Sequence, residues 1–191
     1  MLPLTKVTKS IKRGKPIKLD DEGNIPVIGP AAIRMMNIDG ENIRTTSEGN
    51  LPKNPIRLKS GDVILNNIGT QLGAAVGIDD RFDRYLVSQH VLVIRPDTSL
   101  VLPEFLAAAL NSGFVKTQLQ RRATGVLIPS LTIGRFTEIE VPIPSIEVQS
   151  KVIENINRSR EALELARTNF ERAETEFERA IKHLISEEGE E

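Results

Sequence analysis

A chain of 191 residues with 25 Lys+Arg, 26 Asp+Glu and no cysteine suffices for one or two domains and excludes a disulfide framework or a thiolate zinc site. No apolar run approaches the roughly 20 residues that cross a bilayer, and the opening MLPLTKVTKSIKRGKP lacks the apolar core of a secretory signal, so no membrane partner and a cytoplasmic location are expected. The net charge of −1 is unevenly spread: residues 1–135 hold 18 Lys+Arg against 12 Asp+Glu, and residues 136–191 hold 7 against 14.

Residues 1–24 are polar and basic, with Gly14 and Pro16 inside them, and read as a short helix or strand followed by a loop. IPVIGP (25–30) is a short strand closed by Gly29-Pro30. Residues 37–55, rich in Asn, Gly, Asp, Ser, Thr and Pro, read as loops. IRLKSGDVILNNIG carries two apolar runs, Ile56–Leu58 and Val63–Leu65, around a Ser60-Gly61-Asp62 turn, and predicts paired strands. AAVGI (74–78) and HVLVI (90–94) add two more, separated by DDRFDR. Pro103 opens a helix whose apolar face is Phe105, Leu106, Ala109, Leu110, Phe114 and Leu119. Residues 121–130 form a basic loop, and TEIEVPIP (137–144) reads as a strand. Ser145 then caps a long helix with Glu147 near its positive end.

That helix carries an unbroken heptad repeat with unequal seam positions. Position a is Ile156, Leu163, Phe170, Phe177 and Leu184; position d is Val152, Ser159, Ala166, Ala173 and Ala180. Such a stripe buries itself against another helix. A parallel pair would stack Phe on Phe and Ala on Ala. An antiparallel pair sets each large residue against a small one, which fills space to native density. Two identical antiparallel helices are what a two-fold homodimer makes. The expected organisation is an α+β head with a twisted mixed β-sheet (1–144), one long coiled-coil dimerisation helix (145–187) and an acidic tail (188–191).

Motifs for catalysis are missing. There is no G-x-x-x-x-G-K-[ST], no G-x-G-x-x-G and no Asp/Asn-Pro-Pro-aromatic tetrapeptide, since Asn54-Pro55 is followed by Ile56. Ser88 and His90 lack the G-x-S-x-G setting of a hydrolase. His90 and His183, the two histidines, stand too far apart in sequence to suggest a metal site. Asp79, Asp80 and Asp83 lack the spacing of a calcium loop.

Positive charge gathers in predicted loops. Lys12, Arg13, Lys15 and Lys18 form one cluster, Arg81 and Arg84 a second, Arg121 and Arg122 a third. Arg34, Arg44, Lys53 and Arg135 are further candidates, with Thr124 and Asn37 as small polar neighbours able to reach base edges. Loop Lys and Arg suit phosphate contacts, and Arg suits bidentate reading of guanine.

LKSGDVILNNIGTQLGAAVGI, the helix PEFLAAALNS after a strand ending Ile-Arg-Pro, and EVPIPSIEVQSKVIENI together resemble the specificity subunits of type I restriction-modification systems. In the last segment Val141-Pro142-Ile143-Pro144 leads through Gln149 into the long helix, as in the family. The resemblance implies a non-catalytic subunit that reads double-stranded DNA, holds adenine-N6 methyltransferase subunits and, through them, a restriction and translocase subunit. S-adenosylmethionine, ATP and Mg would reside on those partners, with no cofactor on this chain. Family subunits carry two recognition domains and two long helices; this chain has one of each and resembles a half-length form. A homodimer would restore the full architecture and read a split palindrome. A different function also fits the residues: a coiled-coil adaptor whose head binds protein rather than DNA.

Overall fold

The computed structural model describes residues 1–188, with side chains described through Lys182. Leu184 and the acidic tail beyond Glu188, both assigned above, lie outside the described side chains and residues. The chain divides into two units, Met1–Ser150 and the segment from Lys151 onward.

The first unit runs through β1 (Leu2–Pro3), β2 (Thr8–Arg13), β3 (Ile25–Ile28), β4 (Ile33–Arg34), β5 (Asn37–Ile38), β6 (Arg44–Thr46), β7 (Val63–Asn66), β8 (Ala75–Gly77), β9 (Leu86–Val87) and β10 (Val91–Pro96). It continues with α1 (Pro103–Asn111), α2 (Gly113–Arg122), α3 (Ile133–Thr137) and β11 (Glu140–Val141), and α4 (Ile146–Glu188) begins directly after Ser145. The fold is α+β, as the residue pattern predicts.

The principal sheet has the order β2-β10-β7-β8 and is antiparallel throughout. Its inner strands are continuous apolar runs: Val63–Leu65 and Val91–Ile94 are buried on both faces. A strand covered on both sides loses the alternation of a half-exposed one. A second sheet, β6-β3-β9, joins β3 to β9 in parallel, so strand sense is mixed. β1 pairs with β11, bringing Leu2 opposite Val141 and closing the unit on itself.

Helix α1 lays Phe105, Leu106, Ala109 and Leu110 inward. At its end the buried Asn111 serves as a substitute strand for β8. Its Nδ2 donates to Ala75 O at 2.7 Å, and its Oδ1 accepts from Ala75 N at 3.2 Å. Both main-chain groups of Ala75 that would face another strand are thereby engaged.

Four local expectations change. Residues 37–55, read as loops, hold β5 and β6, which become strands by pairing with β4 and β3. Ile56–Leu58 does not form a hairpin with β7; Leu58 exchanges backbone hydrogen bonds with Tyr85 and Arg84 at 2.9 Å each. The helix after Pro103 breaks at Ser112, whose extended backbone and Oγ cap α2. The break resets the helical phase, so Val115 and Leu119 are buried while Phe114 stands 57% exposed. The segment read as a strand from 137 has α3 running into it, started by Thr132 Oγ1 accepting from Arg135 N and seated by the buried Phe136. Only Glu140–Val141 remains extended and paired.

The first turn of α4 belongs to the first unit. There Gln149, fully buried, spends both ends of its amide on backbone: Nε2 donates to Leu100 O (3.0 Å) and Pro144 O (2.9 Å), and Oε1 accepts from Leu102 N at 2.9 Å. The second unit is the rest of α4. Its seam is open to solvent, with Leu163 68%, Phe170 64% and Phe177 67% exposed. Arg158–Glu154 and Arg167–Glu171 pair at i,i+4 on its other faces.

Candidate nucleic-acid interface

The basic residues fall into four places on the first unit. At the end of β2 the chain must pass very close to β9. A Cβ on Gly14 would lie 2.0 Å from Ser88 O, so only glycine fits. This approach aligns Lys15 with Ser88 and brings its Nζ to Lys53 O at 2.5 Å. The Lys15 amine is thus held by a main-chain carbonyl 38 residues away. Lys12 is exposed beside them on β2, opposite Val93. Arg13 is committed: its Nε donates to Gln89 O at 2.5 Å and a terminal nitrogen lies 3.4 Å from His90 Nδ1. Burial, and then the Arg13 guanidinium, hold His90 below its ordinary value. Lys18 is exposed, with its carbonyl accepting from Thr46 Oγ1 at 2.8 Å.

Arg34 and Arg44 stand apart from this group, each on a carboxylate. Arg34 meets Asp39 at 3.0 Å and Arg44 meets Asp21 at 2.6 Å. Arg34 opens the β4–β5 hairpin, whose tip, Met35-Met36, uses a left-handed Met36 (φ 58°) and exposes Met35. Asn37 is exposed on the return strand.

Arg81 and Arg84 flank the 79–84 turn. Asp79 accepts from Arg81 Nε and from its terminal nitrogen, the latter at 2.7 Å, which holds the Asp79 carboxyl below and the Arg81 guanidinium above their usual ranges. Arg84 Nε is 3.7 Å from Asp83. This turn borders an open cleft of about 860 Å³ that Arg57 and Lys59 also line. Neither residue was a candidate on sequence, because both lie in a segment that reads as strand.

The fourth place surrounds the loop between α2 and α3. Arg121 and Arg122 end α2, and Arg135 returns from α3 to donate to Arg122 O at 3.0 Å. Arg122 has Glu138 at 3.7 Å. Thr124 is exposed at the loop's neck, paired with Ser130. Arg121 and Arg135 are exposed, and neither has a carboxylate partner among the described residues.

The arrangement suits binding of a polyanion, but the cations are not mainly on loops as the sequence suggests. Lys12 and Arg13 lie on β2, Arg34 on β4, Arg44 on β6, Arg121 and Arg122 on α2 and Arg135 on α3, because each of these elements extends over its basic residues. Among the described residues, no three His, Cys, Asp or Glu side chains gather as a metal set. No helix among them is long and apolar enough to cross a membrane.

Comparison with known proteins adds a family. Residues 3–170 match the model of the type I restriction modification DNA specificity domain. The type I restriction enzyme HindI specificity subunit of Haemophilus influenzae is 30% identical over 103 residues, which is 52% of this chain and 22% of that protein. Two solved structures share the fold: the HsdS subunit of Thermoanaerobacter tengcongensis (TM-score 0.65, 20% identity, 87% of this chain and 43% of that one) and the type I system S subunit of M. genitalium (TM-score 0.58, 15% identity, 85% and 39%). The chain therefore spans less than half the length of each of these relatives.

Proposed function

The chain belongs to the family of type I restriction modification DNA specificity domains, and from that premise we propose that two copies pair through α4 to read a split, palindromic DNA site. A DNA-recognition subunit of this kind has no active site of its own. Two identical heads contact two half-sites related by the dimer axis. Methyltransferase subunits, seated on the outer faces of the paired helices, are thereby placed at adenines in each half-site. S-adenosylmethionine, ATP and Mg belong to those partners and to the restriction subunit they recruit.

The observation that carries this reading is the open seam of α4. Leu163, Phe170 and Phe177 are each about two-thirds exposed, at steps of seven, with Ala166 and Ala173 between them and Ser159 before them. Burying a large apolar side chain is worth about 1.5–3 kcal/mol. A helix that leaves three of them in water is incomplete without a partner. With the two copies fully overlapped and antiparallel, Phe177 faces Ser159, Phe170 faces Ala166, and Leu163 faces Ala173. The 43 residues of α4 extend roughly 65 Å at 1.5 Å each, against about 34 Å for a turn of DNA. A rod of that length holds two heads on one duplex.

Phe170→Glu tests the reading by light scattering. The wild-type chain is expected at twice the monomer mass and the variant at the monomer mass. A wild-type monomer, or a variant that stays dimeric, removes the seam from the interface.

A further inference from the structure

The loop between α2 and α3 holds three consecutive aliphatic side chains in water. Val126 is 101% exposed, Leu127 95% and Ile128 62%. The backbone below them is tied down. Thr124 N donates to Ser130 O at 2.9 Å, and Ser130 N returns to Thr124 O at 2.8 Å. Gly69 N donates to Pro129 O at 2.8 Å, and Leu131 N to the carbonyl of the buried Asn67 at 3.0 Å. Gly125, at φ +99°, folds the chain back so tightly that a Cβ there would sit 2.5 Å from Ile128 O. The result is a pinched loop with an apolar tip.

Its stem is cationic. Arg121 and Arg122 lead into it and Arg135 follows it, with Glu138 on Arg122 as the nearby acid. Three aliphatic side chains fall far short of the ~800 Å² per partner that a specific protein interface uses. They are the right size for an apolar wedge between two base pairs, a role aliphatic side chains take when DNA is kinked from its minor groove. Arginines beside such a wedge neutralise the flanking phosphates.

We propose that Val126, Leu127 and Ile128 insert between base steps of the bound duplex from the minor-groove side, with Arg121 and Arg135 on the phosphates to either side. The proposal rests on the DNA-recognition reading above. It gives the head a second means of discrimination. Pyrimidine–purine steps unstack most readily, so a half-site carrying one under the loop binds better without any contact to a base edge.

The test uses the full chain, together with the methyltransferase subunits of its system, and a duplex selected by the wild-type complex, with 2-aminopurine placed in turn at each step. A several-fold rise in fluorescence on binding at one step of each half-site is expected. Leu127→Ser should abolish that rise and weaken binding about ten-fold, whereas Leu127→Met should keep both. Wild-type binding with no fluorescence change at any step overturns the wedge and leaves DNA recognition standing. A Leu127→Ser variant that binds duplex as wild type but no longer assembles with the methyltransferase subunits also overturns it, making the tip a protein anchor. A wild-type complex that selects no duplex would instead sink the recognition reading on which the wedge depends.

Discussion

The side-chain carbonyl of Gln149 accepts the backbone N–H of Leu102 at 2.9 Å, joining the first turn of α4 to the residue that caps α1. Its amide nitrogen meanwhile takes two carbonyls, Leu100 O and Pro144 O. Gln149 thus satisfies three separate backbone groups where α1 and α4 begin. Truncation would leave those groups buried without partners, each at a cost of about 1–3 kcal/mol before any relaxation. Gln149→Ala is therefore expected to lower unfolding stability by roughly 2–4 kcal/mol, read as a fall in the urea midpoint. An unchanged midpoint would mean that water replaces the amide freely.

Helix direction in the proposed dimer is accessible because the chain contains no cysteine. Leu163→Cys and Ala173→Cys single variants, mixed and oxidised, should cross-link to each other and not to themselves. Self-linked dimers of each variant alone would show a parallel pair.

The arginines fall into two groups by the partners they already have. Arg34, Arg44 and Arg81 are each held by a carboxylate, whereas Arg121 and Arg135, the latter bonded to the carbonyl of Arg122, are exposed with no carboxylate partner among the described residues. Replacing either of the last two by Ala should lower the slope of log affinity against log salt by about one. Arg81→Ala, which removes a charge already held by Asp79, should change it less. Equal slopes in all three variants would show that these ion pairs open freely on DNA.

His90 should titrate below its ordinary 6.5, because it is partly desolvated and faces Arg13. A histidine whose folded value is depressed binds fewer protons folded than unfolded. It leaves stability intact above the unfolded value and erodes it as pH falls from there to the folded value. Arg13→Gln removes one of the two causes, so the His90 ring resonance should then titrate at higher pH. A midpoint unmoved by that change would leave burial as the sole cause.

Much of the head was legible because its strands are short apolar runs bounded by turns, and β3, β7, β8 and β10 lie where those runs fall. What was hidden depended on partners distant in sequence. Residues 56–58 look like half of a hairpin until Tyr85 claims the N–H of Leu58. Phe114 continues a periodic apolar face until Ser112 resets the helix. The basic clusters could be found as charges, but not which of them were already engaged. Lys15 reaches Lys53 only because Gly14 lets two strands touch. The exposed triplet Val126–Ile128 reads in sequence as ordinary apolar residues; only the surface shows that nothing covers them.

Asn111 has a consequence for how copies of this protein can meet. With Ala75 clasped by that amide, the outer border of β8 offers no vacant template there. The opposite border, β2, carries exposed Lys9, Lys12 and Arg13, whose mutual repulsion discourages a neighbouring strand. Stitching of the principal sheet of one molecule to that of the next is thereby disfavoured on both flanks.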